Sequence, residues 1–208
     1  MAKVKEPTIT YHQISTQQAL YISTAQMERQ RLYTYDDFLT FPNDGTRYEI
    51  IKGEVCMSPS PSLFHQDIIG NLYKHISNYV QKNKLGKIYF APTDVIFSMT
   101  SIAEPDILFV SSERQHILTK KNIIAAPDFV IEVLSQANQN YDEVKKKNLY
   151  EQFGVKEYWI VDPEKQTVQQ FVLEKEKYST GKIFSSKEKI TSAVIKGLRI
   201  SVKKIFET

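Results

Sequence analysis

The sequence predicts an α/β domain with a central mixed β-sheet flanked by helices. Three observations carry the prediction. Apolar runs at 106–110 and 128–135 read as buried strands. A stretch near 62–83 repeats Ile, Leu and Val at helical spacing. A second helical stretch, 140–153, lies between the 128–135 run and Glu157-Tyr158-Trp159-Ile160-Val161. Strand, helix, strand in that order implies a right-handed crossover joining two parallel strands.

Composition sets the outer limits. The chain has 208 residues, 41% hydrophobic and 25% charged, as expected of one globular domain. A net charge of +3 gives no strong global pull on nucleic acid, so such binding needs a local basic patch. The single cysteine, Cys56, excludes an internal disulfide and a cysteine-ligated zinc site. No run of about 18 apolar residues exists, so no membrane span is expected. The first residues lack the apolar core of a signal peptide, which makes a cytoplasmic location the default.

Residues 1–30 are polar and without period, and read as a weakly structured extension with a short helix at 16–26, ahead of a domain at 31–208. Thr34 caps a short helix with Asp36 and Asp37 in its first turn. Asn43-Asp44-Gly45 is a turn. Residues 47–51 and 54–57 form a hairpin bent at Lys52-Gly53. A Pro- and Ser-rich loop at 58–62 leads into the long helix, whose stripe is Ile68, Ile69, Leu72, Ile76, Tyr79 and Val80. Strands follow at 87–91 and 94–98, then the 106–110 strand, a short helix at 112–118 and the 128–135 strand. The crossover helix stops at Gly154. After the Trp159 strand, Asp162-Pro163-Glu164-Lys165 turns into a strand at 167–173. Further strands are expected at 178–184 and 193–200, with a helical turn at 202–206. No internal repeat is present.

Two carboxylates stand out against these apolar strands. Glu132 is set into the middle of Phe129-Val130-Ile131-Glu132-Val133-Leu134, sharing a face with Val130 and Leu134. A buried ionised carboxylate is costly unless it is paired or holds a metal. Asp106 begins the preceding strand and can lie beside Glu132 if the strands pair. Asp128 is on the Glu132 strand itself, roughly 13 Å away, too far to share a cation, and is expected to order a turn. The alternative for Asp106 and Glu132 is that backbone amides or lysines satisfy them.

The crossover helix offers a lysine. Among Lys145, Lys146 and Lys147, Lys146 lies in line with the buried stripe of Tyr150 and Phe153, so its amine needs an anion. The alternative is an ion pair with Asp142 one turn earlier. Asp, Glu and Lys together suit phosphodiester hydrolysis: the carboxylates hold Mg²⁺, with Mn²⁺ as a substitute, and the ammonium stabilises charge or orients the water. Glu54, at the hairpin, is a candidate third carboxylate or an ordinary exposed charge. His65, on the apolar face of the long helix, is a candidate phosphate contact or base, or a packed histidine. Lys52, Lys74, Lys82, Lys84, Lys145 and Lys147 are candidate DNA contacts or solvating charges.

The motifs resemble, in order, those of the Uma-two family of endonucleases. They are Arg47-Tyr48-Glu49-Ile50-Ile51-Lys52-Gly53-Glu54, the 58–61 loop, His65, Pro105-Asp106, Glu132-Val133-Leu134-Ser135, Asp142 with Lys146 and Tyr150, and Gly154 through Pro163. The resemblance covers about 32–206 and implies the restriction-endonuclease-like fold of the PD-(D/E)XK superfamily, with Asp106 and Glu132 as the metal pair. The superfamily lysine stands two residues after the glutamate, where this chain has Leu134, which leaves Lys146 as the substitute. The implied activity is metal-dependent DNA cleavage by a homodimer. A catalytically inactive nucleic-acid-binding or interaction module on the same fold is the competing expectation.

Overall fold

Thr34 opens the fold with a capping box: its side chain accepts from the Asp37 amide while Asp37 accepts from the Thr34 amide, starting helix α1 (Tyr35–Phe38). The computed structural model described here covers residues 31–58, 60–135 and 141–207, with backbone alone at 141–143. The expected helix at 16–26 lies outside the described residues. From Tyr33 onward the chain forms one compact unit.

Strands β1 (Arg47–Ile51) and β2 (Glu54–Ser58) make the expected hairpin. Its two-residue bend has Lys52 at φ 53° and Gly53 at φ 81°. Positive φ at both positions is the turn whose twist matches paired strands, and glycine adopts it freely. Helix α2 (Leu63–Lys82) follows, with the Ser62 side chain accepting from the His65 amide at its N-terminus. Then come β3 (Gly86–Phe90), β4 (Val95–Ser98), β5 (Ser101–Ala103) and β6 (Ile107–Ser111). A 3-10 turn at Ser112–Ile117 leads towards β7 (Phe129–Val133). A wide π turn at Tyr141–Lys146 runs into α3 (Lys147–Gln152).

The C-terminal part holds β8 (Glu157–Asp162), β9 (Thr167–Glu174), β10 (Lys177–Tyr178), β11 (Lys182–Ser185), β12 (Lys189–Thr191) and β13 (Arg199–Ser201). A 3-10 turn, Val202–Ile205, comes last. The strands expected at 178–184 and 193–200 are thus replaced by four shorter ones. β5, three residues long, carries no readable period and was not expected.

Two sheets position the site. The larger runs β10-β9-β8-β7-β6-β3, with β11 also on β9. Within it β7 and β8 are parallel and the other pairs antiparallel, so the sheet is mixed as expected. The smaller is antiparallel, in the order β2-β1-β5-β4. Alternation along the strands divides the core in two. Phe129, Ile131, Val133, Trp159 and Val161 pack with the α2 stripe and with Ile195, Leu198, Ile200, Val202 and Ile205. Val130, Leu134, Tyr158 and Ile160 pack on the other side with Leu149 and Tyr150 of α3 and with Ile51 and Phe97 of the small sheet. Burial on both faces is why these strands are almost continuously apolar.

Glu157, at the start of β8, is fully buried on the α2 side. Its carboxylate accepts from the Trp159 indole, the Gln170 amide, the Ser192 hydroxyl and the Val194 backbone N–H. Four donors offset the cost of taking this acid out of water.

Candidate active site

The register of β6 against β7 pairs Ile107 with Ile131. One step further out, this antiparallel pairing sets Asp106 opposite Glu132. Asp106 caps that meeting point: its Oδ2 accepts the Val133 amide at 2.9 Å, and both carboxylates are buried. The expectation that Asp106 lies alongside Glu132 rests on this pairing. Asp128 sits apart, as expected, accepting from the Ser111 amide and pairing with Arg114 and Lys156.

Lys146 closes the cluster from the end of the π turn. Its Nζ lies 3.0 Å from Glu132 Oε1 and 3.1 Å from Glu49 Oε1, and only 5% of its side chain is exposed. The interrupted helix delivers the lysine from one turn before Leu149 and Tyr150, which anchor α3 in the core. Tyr150 donates its hydroxyl to Glu132 Oε1 at 2.5 Å. Burial, then the adjacent Glu132 charge, pushes that hydroxyl well above its usual range, so it stays protonated as a donor.

His65 arrives from the first turn of α2. Its Nε2 is 3.0 Å from the Val133 carbonyl and 3.4 Å from Asp106 Oδ2, two acceptors, so Nε2 carries the proton. Burial works to raise the Asp106 pKa. The His65 hydrogen bond, the Lys146 ammonium and the Val133 amide outweigh it and hold Asp106 below the usual carboxylate range.

Strand β1 adds Glu49 and Arg47 to the cluster. They share its inward face because side chains alternate along a strand. Glu49 Oε1 accepts the Glu104 amide at 2.8 Å as well as Lys146. Arg47 donates through Nη2 to the Glu104 carbonyl at 2.7 Å and through Nε to Glu104 Oε2 at 3.2 Å, and its Nη1 lies 3.5 Å from Asp106 Oδ1. Burial pushes the Glu104 pKa up, more than Arg47 pulls it down.

Glu54 is not in this cluster. It pairs instead with Lys145 at 2.6 Å, with 67% of its side chain exposed. Register sets Glu54 opposite Ile51 on the same face of the hairpin, but β2 is the edge strand of the small sheet and Glu54 begins it beside the turn, where water reaches it, while Glu49 lies in β1 between β2 and β5. Alternation along β1 does not single out Glu49, because Ile50 on the other face is as buried as Ile51; the burial of Glu49 follows from contacts distant in sequence, with Glu104 and Lys146.

The donor set suits a hard divalent cation. Mg²⁺ takes one or two carboxylates and keeps several waters, which Asp106 and Glu132 can provide. Among the described residues, no three His, Cys, Asp or Glu side chains converge as a metal cage. Two buried polar side-chain atoms among them have no hydrogen-bond partner, Glu49 Oε2 and His65 Nδ1. Four buried carboxylates, Glu49, Glu104, Asp106 and Glu132, face the permanent cations Arg47 and Lys146. A surplus of negative charge around a spare carboxylate oxygen is what a cation compensates.

Residues 35–203 match the model of the Uma2 family, described as "Putative restriction endonuclease". The chain belongs to the Uma2 family. This Uma2 chain is also similar in fold to a solved structure, "a putative nuclease belonging to DUF820" from Anabaena variabilis, with a TM-score of 0.71. The two share 22% identity, over 83% of this chain and 97% of that one, and so share a fold. No curated protein matches this Uma2 chain. No described helix is long and apolar enough to cross a membrane.

Proposed function

We propose that this Uma2 protein is a metal-dependent endonuclease that hydrolyses phosphodiester bonds of DNA. The observation that carries the reading is the buried group in which Asp106 faces Glu132 across paired strands while Lys146 Nζ lies 3.0 Å from Glu132. Asp106 and Glu132 would hold Mg²⁺, or Mn²⁺ in its place. When bound, the ion polarises the phosphate and lowers the pKa of a coordinated water.

The protein's own groups do the rest. Lys146 takes the charge-stabilising place that Leu134 leaves empty on the strand, because its ammonium reaches Glu132 from the crossover segment. His65 holds the Asp106 carboxylate in place through its Nε2 proton, and Tyr150 does the same for Glu132. Cutting both strands of a duplex calls for two such sites, hence a homodimer.

The test is nicking of supercoiled plasmid in Mg²⁺ or Mn²⁺ by wild type, Asp106→Ala and Lys146→Ala. The expected result is metal-dependent nicking by wild type that both variants lose. Activity that survives Asp106→Ala places the chemistry elsewhere. A wild type that neither nicks nor binds Mn²⁺ in calorimetry refutes the nuclease reading and favours the non-catalytic module.

A further inference from the structure

Of the two permanent cations in the cluster, one is enclosed and the other is not. Lys146 is held between Glu132 and Glu49 with 5% of its side chain exposed. The Arg47 side chain is 24% exposed, against 5% for that of Asp106 beside it. Arg47 is the first residue of β1, where the strand enters from the Asp44–Thr46 turn.

Its guanidinium is also only partly engaged. Nε and Nη2 are fixed on the Glu104 side chain and carbonyl. Nη1 stands 3.5 Å from Asp106 Oδ1, too long for a strong charge-assisted hydrogen bond. Two tethers therefore orient the planar group, and the remaining nitrogen is presented beside the carboxylate that would hold the metal.

We propose that Arg47 is a substrate-binding residue whose Nη1 contacts a non-bridging oxygen of the DNA phosphate at the cleavage position. The inference rests on the nuclease reading. A phosphate approaching a group of four buried carboxylates is repelled by them, and a pre-oriented, partly exposed arginine beside Asp106 offsets that repulsion. Glu104 then positions Arg47, and its salt bridge is more than a tie between β1 and the β5–β6 connection.

The test measures binding of a fluorescein-labelled DNA duplex by anisotropy in Ca²⁺, across a range of NaCl concentrations, for wild type, R47Q, R47K and E104Q. Each phosphate contact contributes about 0.9 to the slope of log K against log salt. R47Q is expected to flatten the slope by about that amount and to weaken binding roughly tenfold or more, the effect of one lost charge-assisted hydrogen bond. R47K is expected to keep the slope, and E104Q to keep the slope while raising KM for nicking.

A folded R47Q with an unchanged slope overturns the proposal and leaves Arg47 a structural tie. If R47Q does not fold, wild type decides. DNA must shield Arg47 from phenylglyoxal, read by mass spectrometry, and an arginine that is unreactive in free protein or unshielded by DNA overturns the proposal equally. Wild type that nicks plasmid while Arg47 fails these tests sinks the inference alone. Wild type that neither nicks nor binds DNA sinks the nuclease reading with it.

Discussion

Replacing Lys146 by Met tests whether its ammonium is the counter-ion of the buried cluster. The methionine nearly preserves volume but removes the charge between Glu132 Oε1 at 3.0 Å and Glu49 Oε1 at 3.1 Å. Breaking a buried pair by removing one partner costs about 3–5 kcal/mol, because a charge is left uncompensated. Here two carboxylates are left, which pushes the cost up. Glu132 keeps the Tyr150 hydroxyl and Glu49 keeps the Glu104 amide, which pushes it down. These offset, so a loss of about 3–5 kcal/mol is expected, a large share of the stability of an ordinary domain. For a chain of this length that is a fall in Tm of roughly 6–20 °C. The assay is thermal and urea unfolding in EDTA at pH 8. Adding Glu49→Gln and Glu132→Gln to Lys146→Met should recover much of the loss, since the charges then disappear together. A Lys146→Met variant within about 1 kcal/mol of wild type would refute the argument, because the two glutamates would then be satisfied without the lysine.

Glu54→Ala should leave both Tm and plasmid nicking at wild-type values, since an exposed ion pair with Lys145 contributes little. Lost nicking would return Glu54 to the site. Asp128→Asn should show a pH-dependent loss of stability. Burial works to raise the Asp128 pKa, but Lys156, the Ser111 amide and Arg114 hold it below the usual carboxylate range. A depressed folded-state pKa stabilises above the unfolded value, near 3.9, and that contribution disappears as pH falls through the folded value. Wild type should therefore exceed the variant in urea midpoint at pH 7, and the gap should narrow below about pH 4. A gap that is constant down to acid unfolding would contradict the assigned pairing.

The sequence made the core of this arrangement readable because its signals are periodic. The α2 stripe from Ile68 to Val80 specifies a helix and its buried face, and the apolar run Phe129–Val133 specifies a strand buried on both faces. Asp106 and Glu132 were visible as charges in apolar runs, and Lys146 as a charge in line with Tyr150. What was harder to read depends on contacts distant in sequence. β5 has only Ser101, Ile102 and Ala103, too few residues for a period, yet Ile102 joins β1 to the small sheet. Both Glu49 and Glu54 look like hairpin charges in the sequence. Pairing across that sheet buries the first beside Lys146 and leaves the second in water.

Glu157 has a consequence for how the protein comes into being. All the residues of the acidic cluster, from Arg47 to Tyr150, have been translated before the partners that Glu157 needs at Gln170, Ser192 and Val194. The face of the sheet under α2 likewise stays only partly covered until Ile195, Leu198, Ile200 and Val202 have been added. His65, carried by α2, can settle against Val133 only once that helix is seated. A nascent chain therefore passes its whole reactive group out of the ribosome while the group is still loose, and ribosome-stalled chains whose emerged part ends near residue 165 should be sensitive to protease where those with residue 206 emerged are not.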